Sequence, residues 1–157
     1  MPFRVGQGYD VHQLQSGHPF VIGGVHIPHT KGIVAHSDGD VLIHAIIDAM
    51  LGATNLGDLG QHFPSSKDWQ DASGLDMLNH TCTIIKNKFP NIEIYNIDAT
   101  IVLEQPKLSS YITQIQNNIM DSLDIQNVSI KATTTDQLGF IGEKQGIAAM
   151  AICLIKL

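Results

Sequence analysis

The sequence predicts a mixed α+β fold, a sheet with its helices packed on one face, and two patterns carry that expectation. Apolar residues return every three or four positions at Leu75, Leu78, Cys82, Ile85 and Phe89, and again at Leu108, Ile112, Ile115, Ile119 and Leu123. That is the period of a helix lying against a core. Between and after them, Ile92 to Leu103, Val128 to Thr135 and Ile147 to Ile155 read as strands, and the mixed order places the helices against a sheet.

In chain order, Phe3 to Tyr9 reads as a strand running into a Gly-rich loop. Val21-Ile22-Gly23-Gly24-Val25-His26-Ile27 reads as a hairpin with a Gly-Gly turn. The small polar residues His36-Ser37-Asp38-Gly39-Asp40 announce a helix start, and a helix follows from about Asp40 to Leu51. The last strand is apolar on both sides, with Ile147, Ala149, Ala151, Cys153 and Ile155 on one and Ala148, Met150, Ile152 and Leu154 on the other. Helices cover one such face; the second is covered by another subunit, or the strand is buried wholly within the monomer.

The 157 residues, 43% of them hydrophobic, suit one domain spanning 1–157. Nine Lys and Arg against fifteen Asp and Glu give a charge of −6, so no basic face favours nucleic acid, and a phosphorylated substrate has to rely on metal ions or local backbone donors. Cys82 and Cys153 stand far apart in apolar patterns and read as buried free thiols. The start, Met1-Pro2-Phe3-Arg4-Val5-Gly6, lacks the plan of a signal peptide, and no apolar run is long enough to span a membrane. The expectation is a cytoplasmic protein in a reducing compartment, without a membrane partner.

Candidate chemistry is concentrated in a few segments. Asp10 and His12, two apart, project to the same side of extended backbone, as a ligand pair would, although Asp-x-His is also common in surface loops. On the first long helix Asp40, His44 and Asp48 form one polar stripe amid Val41, Leu42, Ile43, Ile46, Ile47, Met50 and Leu51. Either the stripe is a solvated face capped by Asp40, or His44 turns toward Asp10 and His12 and completes a set that leaves the fourth position of a tetrahedral zinc ion open. His36 and Ser37 precede the helix start, where a phosphate is favoured. Lys131-Ala132-Thr133-Thr134-Thr135-Asp136 ends a strand with three hydroxyls and a carboxylate, which β propensity alone also explains. The Asp58-Leu59-Gly60 and Phe63-Pro64-Ser65-Ser66 segments read as turns by default.

Taken in order, these segments resemble the 2-C-methyl-D-erythritol 2,4-cyclodiphosphate synthase family. The resemblance runs from Val5-Gly6-Gln7-Gly8-Tyr9-Asp10-Val11-His12 through Ala35 to Val41, His44-Ala45, Leu51-Gly52-Ala53, Leu56 to Gly60 and Phe63-Pro64. It continues with Gln105-Pro106-Lys107, Lys131 to Asp136 and Leu138-Gly139-Phe140. It implies a ferredoxin-like fold, a homotrimer with active sites between subunits, and a cytidine diphosphate substrate of the non-mevalonate isoprenoid pathway. It also implies that Asp10, His12 and His44 hold Zn2+ and that Asp136 helps hold Mg2+ or Mn2+. His36 and Thr134 take catalytic roles, with Ser37 beside His36. Asp58, Leu59 and Gly60 hold the sugar portion, and Phe63, Pro64, Ser65, Ser66 and Lys67 border the substrate. Gln105, Pro106, Lys107, Leu108, Thr133, Thr134 and Thr135 line the cytidine side, and Phe140 and Glu143 complete the substrate-binding set.

Three positions depart from the family's pattern. Asp136 stands where Glu is more frequent, Glu143 where Arg is expected, and His18 where Arg is common. The resemblance places residue 143 toward a threefold axis; three glutamates there disfavour a polyanion, and strand alternation would turn Lys144 away. Two other functions fit the same residues, a zinc-dependent phosphoester hydrolase and a trimeric binding protein stabilised by zinc.

Overall fold

The computed structural model describes residues 2–157; Met1, the first residue of the N-terminal segment read above, lies outside the described residues. Strands β1 (Phe3–Ser16), β2 (Val21–Ile22), β3 (Val25–His26) and β4 (Lys31–Val34) precede α1 (Val41–Thr54), the short α2 (Leu59–His62), a 3₁₀ turn at Lys67–Trp69 and α3 (Gly74–Lys88). Then come β5 (Glu93–Val102), α4 (Ile112–Leu123), β6 (Val128–Thr133), α5 (Gly139–Gly142) and β7 (Gly146–Lys156). Five strands form one sheet in the order β4-β1-β7-β5-β6, parallel only between β5 and β6, while β2 and β3 make the expected Gly-Gly hairpin.

The first strand differs from the sequence reading. It does not give way to a loop at its glycines but continues to Ser16, pairing Asp10 with Ala149 and His12 with Ile147 of β7. The glycines are there for close approach. A Cβ on Gly6 would lie 1.8 Å from the Ala49 carbonyl oxygen, and one on Gly8 1.8 Å from that of Ala45. Bare backbone at both positions lets α1 lie directly on β1, and any side chain would lift it away.

Helix α1 is buried on nearly every side, as its mostly apolar sequence requires. A polar stripe inside such a helix must find partners, because an unpaired buried polar group is costly. Asp40, fully buried, accepts from the backbone N–H groups of Gly23 (2.9 Å), Gly24 (2.8 Å) and Ile43 (3.2 Å), tying the hairpin turn to the helix start. Burial and the nearby Asp38 charge push its carboxyl up, while these three donors pull it back. Asp40 does cap the helix, but no face of the stripe is solvated in the way a surface helix would be.

Helices α1, α3 and α4 and the hairpin enclose one core with the inner face of the sheet. Along β7, Ile147, Ala149, Ala151, Cys153 and Ile155 are buried, whereas Met150 and Ile152 on the opposite face are 40% and 49% exposed. Tyr9 and Val5 of β1 share that outer face at 53% and 68% exposure. The strand is therefore not buried wholly within the monomer. Smaller differences follow from turn geometry: α4 begins at Ile112, with Leu108 still reaching the core from the turn before it, and β6 ends at Thr133.

Candidate metal centre and active site

Three side chains converge where α1 crosses β1. Asp10 Oδ2 lies 2.8 Å from His12 Nε2 and 3.0 Å from His44 Nδ1, and the two ring nitrogens are 3.2 Å apart. Metal–ligand bonds of about 2.0–2.1 Å in a tetrahedral zinc site put neighbouring ligand atoms about 3.3 Å apart, so these three already mark one face of such a site. Among the described residues this is the one group of three or more His, Cys, Asp or Glu able to hold a metal ion, and it has no fourth member. One side is left open, as in a site that binds a ligand on its metal.

The ring orientations are set from outside. With Nδ1 of His44 turned to the cluster, its Nε2 meets Ser37 Oγ at 3.3 Å, and with Nδ1 on a metal the Nε2–H would donate to that hydroxyl. Without a metal, burial raises the Asp10 carboxyl, but hydrogen bonds from His12 and His44 override it and bring the group down to about 2. Burial lowers His12, and the Asp10 carboxylate more than compensates, so its imidazole is held above the ordinary value.

The open side faces a hollow of about 220 Å³ lined by the triad with Ala35, His36, Ser37, Leu59, Phe63, Ser65, Trp69 and Met77. Asp58 is exposed and caps α2, accepting from Gln61 N at 3.0 Å, so Asp58-Leu59-Gly60 is a helix start and not a simple turn. Asp48 accepts from Leu59 N at 2.7 Å and fixes α2 beside the hollow. His36 is exposed and donates from Nε2 to the Ser66 carbonyl at 2.7 Å. At the α1 start, where a phosphate was expected, the Asp40 carboxylate takes the Ile43 amide (3.2 Å) and Ser37 Oγ accepts from Gly39 N (3.3 Å). Pro64, Ser66 and Lys67 belong to the segment bordering the hollow without lining it.

A second hollow, of about 320 Å³, shares no lining residue with the first. Leu103, Glu104, Pro106, Lys107, Leu108, Ser109, Ile112, Ala132, Thr133 and Thr134 surround it, so the two segments expected on the cytidine side do meet. Glu104 was not among the expected site residues. Its Oε1 accepts from Thr135 N (3.0 Å), Thr135 Oγ1 (3.2 Å) and Gln137 N (3.1 Å), and the Gln137 and Thr135 donors hold its carboxyl below the usual range. A carboxylate beside Gln105-Pro106-Lys107 was the available signal. Asp136, exposed and left-handed at φ 51°, has Thr134 Oγ1 3.3 Å from its Oδ1 and no second acidic or imidazole ligand grouped with it among the described residues.

Gln105 and Glu143 line a third hollow with Lys144, and Phe140 a fourth with Val11, His12 and Gly146. Glu143 and Lys144 lie in the turn between α5 and β7, Lys144 with φ 58°. Strand alternation therefore does not separate them; both face the same hollow. Both cysteines are free, Cys153 buried and Cys82 half-buried, and burial pushes each thiol up to about 11, away from nucleophilic use.

An α+β chain with an aspartate and two histidines meeting at the open face of a hollow has the ligand set that fits a divalent-metal site. The YgbB family model matches residues 3–156. The chain is 49% identical over 157 residues to 2-C-methyl-D-erythritol 2,4-cyclodiphosphate synthase of Clostridioides difficile, covering 98% of this chain and 96% of that one. It is 50% identical over 155 residues to the synthase of Clostridium kluyveri, covering 97% and 93%. Among solved structures, the IspF–CDP complex of Plasmodium falciparum superposes with a TM-score of 0.85 at 33% identity, covering 98% of this chain and 96% of that one. The bifunctional IspDF of Campylobacter jejuni gives 0.91 at 37% identity, covering 98% of this chain but 42% of that longer one. The chain belongs to the YgbB family, alongside these cyclodiphosphate synthases.

Proposed function

We propose that the chain, as one catalytic domain, converts 4-diphosphocytidyl-2-C-methyl-D-erythritol 2-phosphate to 2-C-methyl-D-erythritol 2,4-cyclodiphosphate and CMP. The observation that carries this reading is the Asp10, His12 and His44 triad opening on a lined hollow. An oxygen of the 2-phosphate attacks the β-phosphorus, the bond to the α-phosphate oxygen breaks, and CMP leaves with that oxygen. No protein nucleophile is needed, in keeping with two inert thiols; the work is to fold the substrate and to spread charge.

Zn2+ on the triad, with Mg2+ or Mn2+ at Asp136 and the diphosphate, would supply polarisation of the phosphoryl oxygens and charge neutralisation. The chain's residues supply the rest. Ser37, accepting from His44, keeps its own hydroxyl hydrogen for a phosphate oxygen. His36 sits at the mouth of the hollow and exchanges the Ser66 carbonyl for the substrate, while Thr134 offers its hydroxyl from the other hollow, steadying charge that grows in the transition state. Leu59, Phe63 and Met77 take the apolar side of the methylerythritol unit. Lys107 and Thr133 face the nucleotide.

Metal analysis of the purified protein, coupled to phosphorus NMR of the linear substrate, tests the reading. Cyclic diphosphate with CMP is expected; a linear product would mark a zinc hydrolase, and zinc without turnover a binding protein. The ferredoxin-like trimer belongs to the same proposal, supported by the exposed apolar outer face of β1 and β7. The absence of a shared lining residue between the two hollows also suits a site completed by a neighbouring copy. Light scattering with a stable, active monomer would remove it. A cytoplasmic, reducing setting remains part of this reading, in line with the free thiols.

A further inference from the structure

Trp69 is the one tryptophan of the chain, and it walls the metal hollow together with Phe63. Its ring meets Phe63 edge-on with centroids 4.6 Å apart, and the His80 ring lies 5.3 Å away, tilted at 57°. His80 also meets Phe63 edge-on at 5.8 Å, so the three rings close a triangle. His80 stands on α3 one turn after Met77, which lines the same hollow; residues three apart share a helix face. His80 itself is exposed and does not line the hollow.

The rest of the segment from Pro64 to Ala72 is held by the loop that precedes α1. Asp71 N donates to the His36 carbonyl (3.0 Å), Asp38 N donates to the Ala72 carbonyl (3.0 Å), and His36 Nε2 donates to the Ser66 carbonyl (2.7 Å). The last bond uses the imidazole that turns to substrate in the reaction proposed above. Once His36 leaves Ser66, the middle of the segment keeps the aromatic triangle as its side-chain anchor. The 3₁₀ turn that carries Trp69 has no side-chain cap to replace it.

We propose that His80 is a positioning residue for the cyclisation: its ring seats Trp69 so that the Pro64–Ala72 segment keeps its wall on the metal hollow when substrate is bound. It sets substrate affinity without touching the reacting atoms. The proposal rests on the metal hollow being the substrate site, which wild-type turnover in the same assay tests separately.

The experiment compares wild type, His80→Ala and His80→Phe as full-length proteins. Alanine is a better helix former than histidine and the position is exposed, so His80→Ala keeps α3. For His80→Ala the expected result is a KM raised about three- to tenfold, the size of an aromatic pair interaction, with kcat within about twofold and zinc content unchanged. The emission of the sole tryptophan shifts to the red as Trp69 loses its flank. His80→Phe, which restores a ring, returns both KM and emission to near wild type. A double variant with Trp69→Ala shows no further rise in KM beyond Trp69→Ala alone. Three results would each overturn the proposal: a KM unchanged in His80→Ala whatever the emission does; a raised KM that Phe does not rescue; or a fall in kcat with zinc loss at constant KM, which marks a general structural defect.

Discussion

The hollow beside the Asp10, His12 and His44 triad and the hollow between Lys107 and Thr134 are built by opposite strategies. The metal hollow rests on the middle of regular elements, with Asp10 and His12 on a strand inside the sheet and His44 on a helix buried on nearly every side. The hollow around Lys107 and Thr134 lies where β5 and β6 end, and its loop is shaped by bonds to one exposed-side carboxylate, Glu104. A cation site of three ligands needs atoms fixed to within tenths of an ångström, which packed backbone supplies. A nucleotide site needs reach and adaptable donors, which strand-end loops supply.

The largest effect should come from the first hollow. His44→Ala is expected to remove zinc and lower turnover on the order of a thousandfold or more while the fold survives, since the apolar faces of α1 hold the helix without it. Stoichiometric zinc with full activity in the purified variant would make the triad irrelevant. Gly8→Ala attacks the same hollow from beneath: the added Cβ meets the Ala45 carbonyl, so α1 has to lift, at a cost of roughly 3 kcal/mol or more. A lower melting temperature together with weaker zinc binding is expected, and a variant as stable as wild type would show that α1 does not depend on that contact.

Asp136→Ala probes the proposed second cation site, next to Thr134 of the second hollow, and should have a smaller, conditional effect. Zinc stays, the fold is undisturbed at an exposed loop residue, and the Mg2+ or Mn2+ needed for half-maximal turnover rises about tenfold or more. An unchanged metal titration takes Asp136 out of the second cation site.

The smallest expected effect is a pH dependence confined to the metal hollow. Asp10 is depressed from 3.8 to about 2 in the metal-free protein, so its contribution to stability is present above 3.8 and fades as pH falls toward about 2. His12 is raised above 6.5, so its contribution is complete below 6.5 and is lost as pH rises through the raised value. The triad therefore supports the metal-free fold best between 3.8 and 6.5. Zinc needs the same imidazole neutral, so its apparent affinity should climb as pH rises through the His12 titration. Competition with a chromogenic chelator across pH 5.5–8 measures this; a flat profile would mean that no proton is displaced from His12.

The positions of α1, α3, α4, β5 and β7 were legible to within a few residues because amphipathic and apolar periodicity follows directly from which face is buried. The Asp10-x-His12 pair and the stripe Asp40, His44, Asp48 were visible as candidates for the same kind of reason: fixed backbone periods fix which side chains share a side. What periodicity could not decide is which of those candidates meet. Asp40 became a buried cap, Asp48 a brace for α2, and His44 alone turned to Asp10 and His12, because two glycines in β1 allow α1 to seat at one depth and one rotation. Glu104, Trp69 and His80 left no periodic trace, since their partners lie across loops and between elements distant in sequence. The sequence determined the elements and the stock of ligands; only the tertiary structure decided the assembly, because contact between remote segments depends on backbone approach and packing depth, which local pattern does not encode.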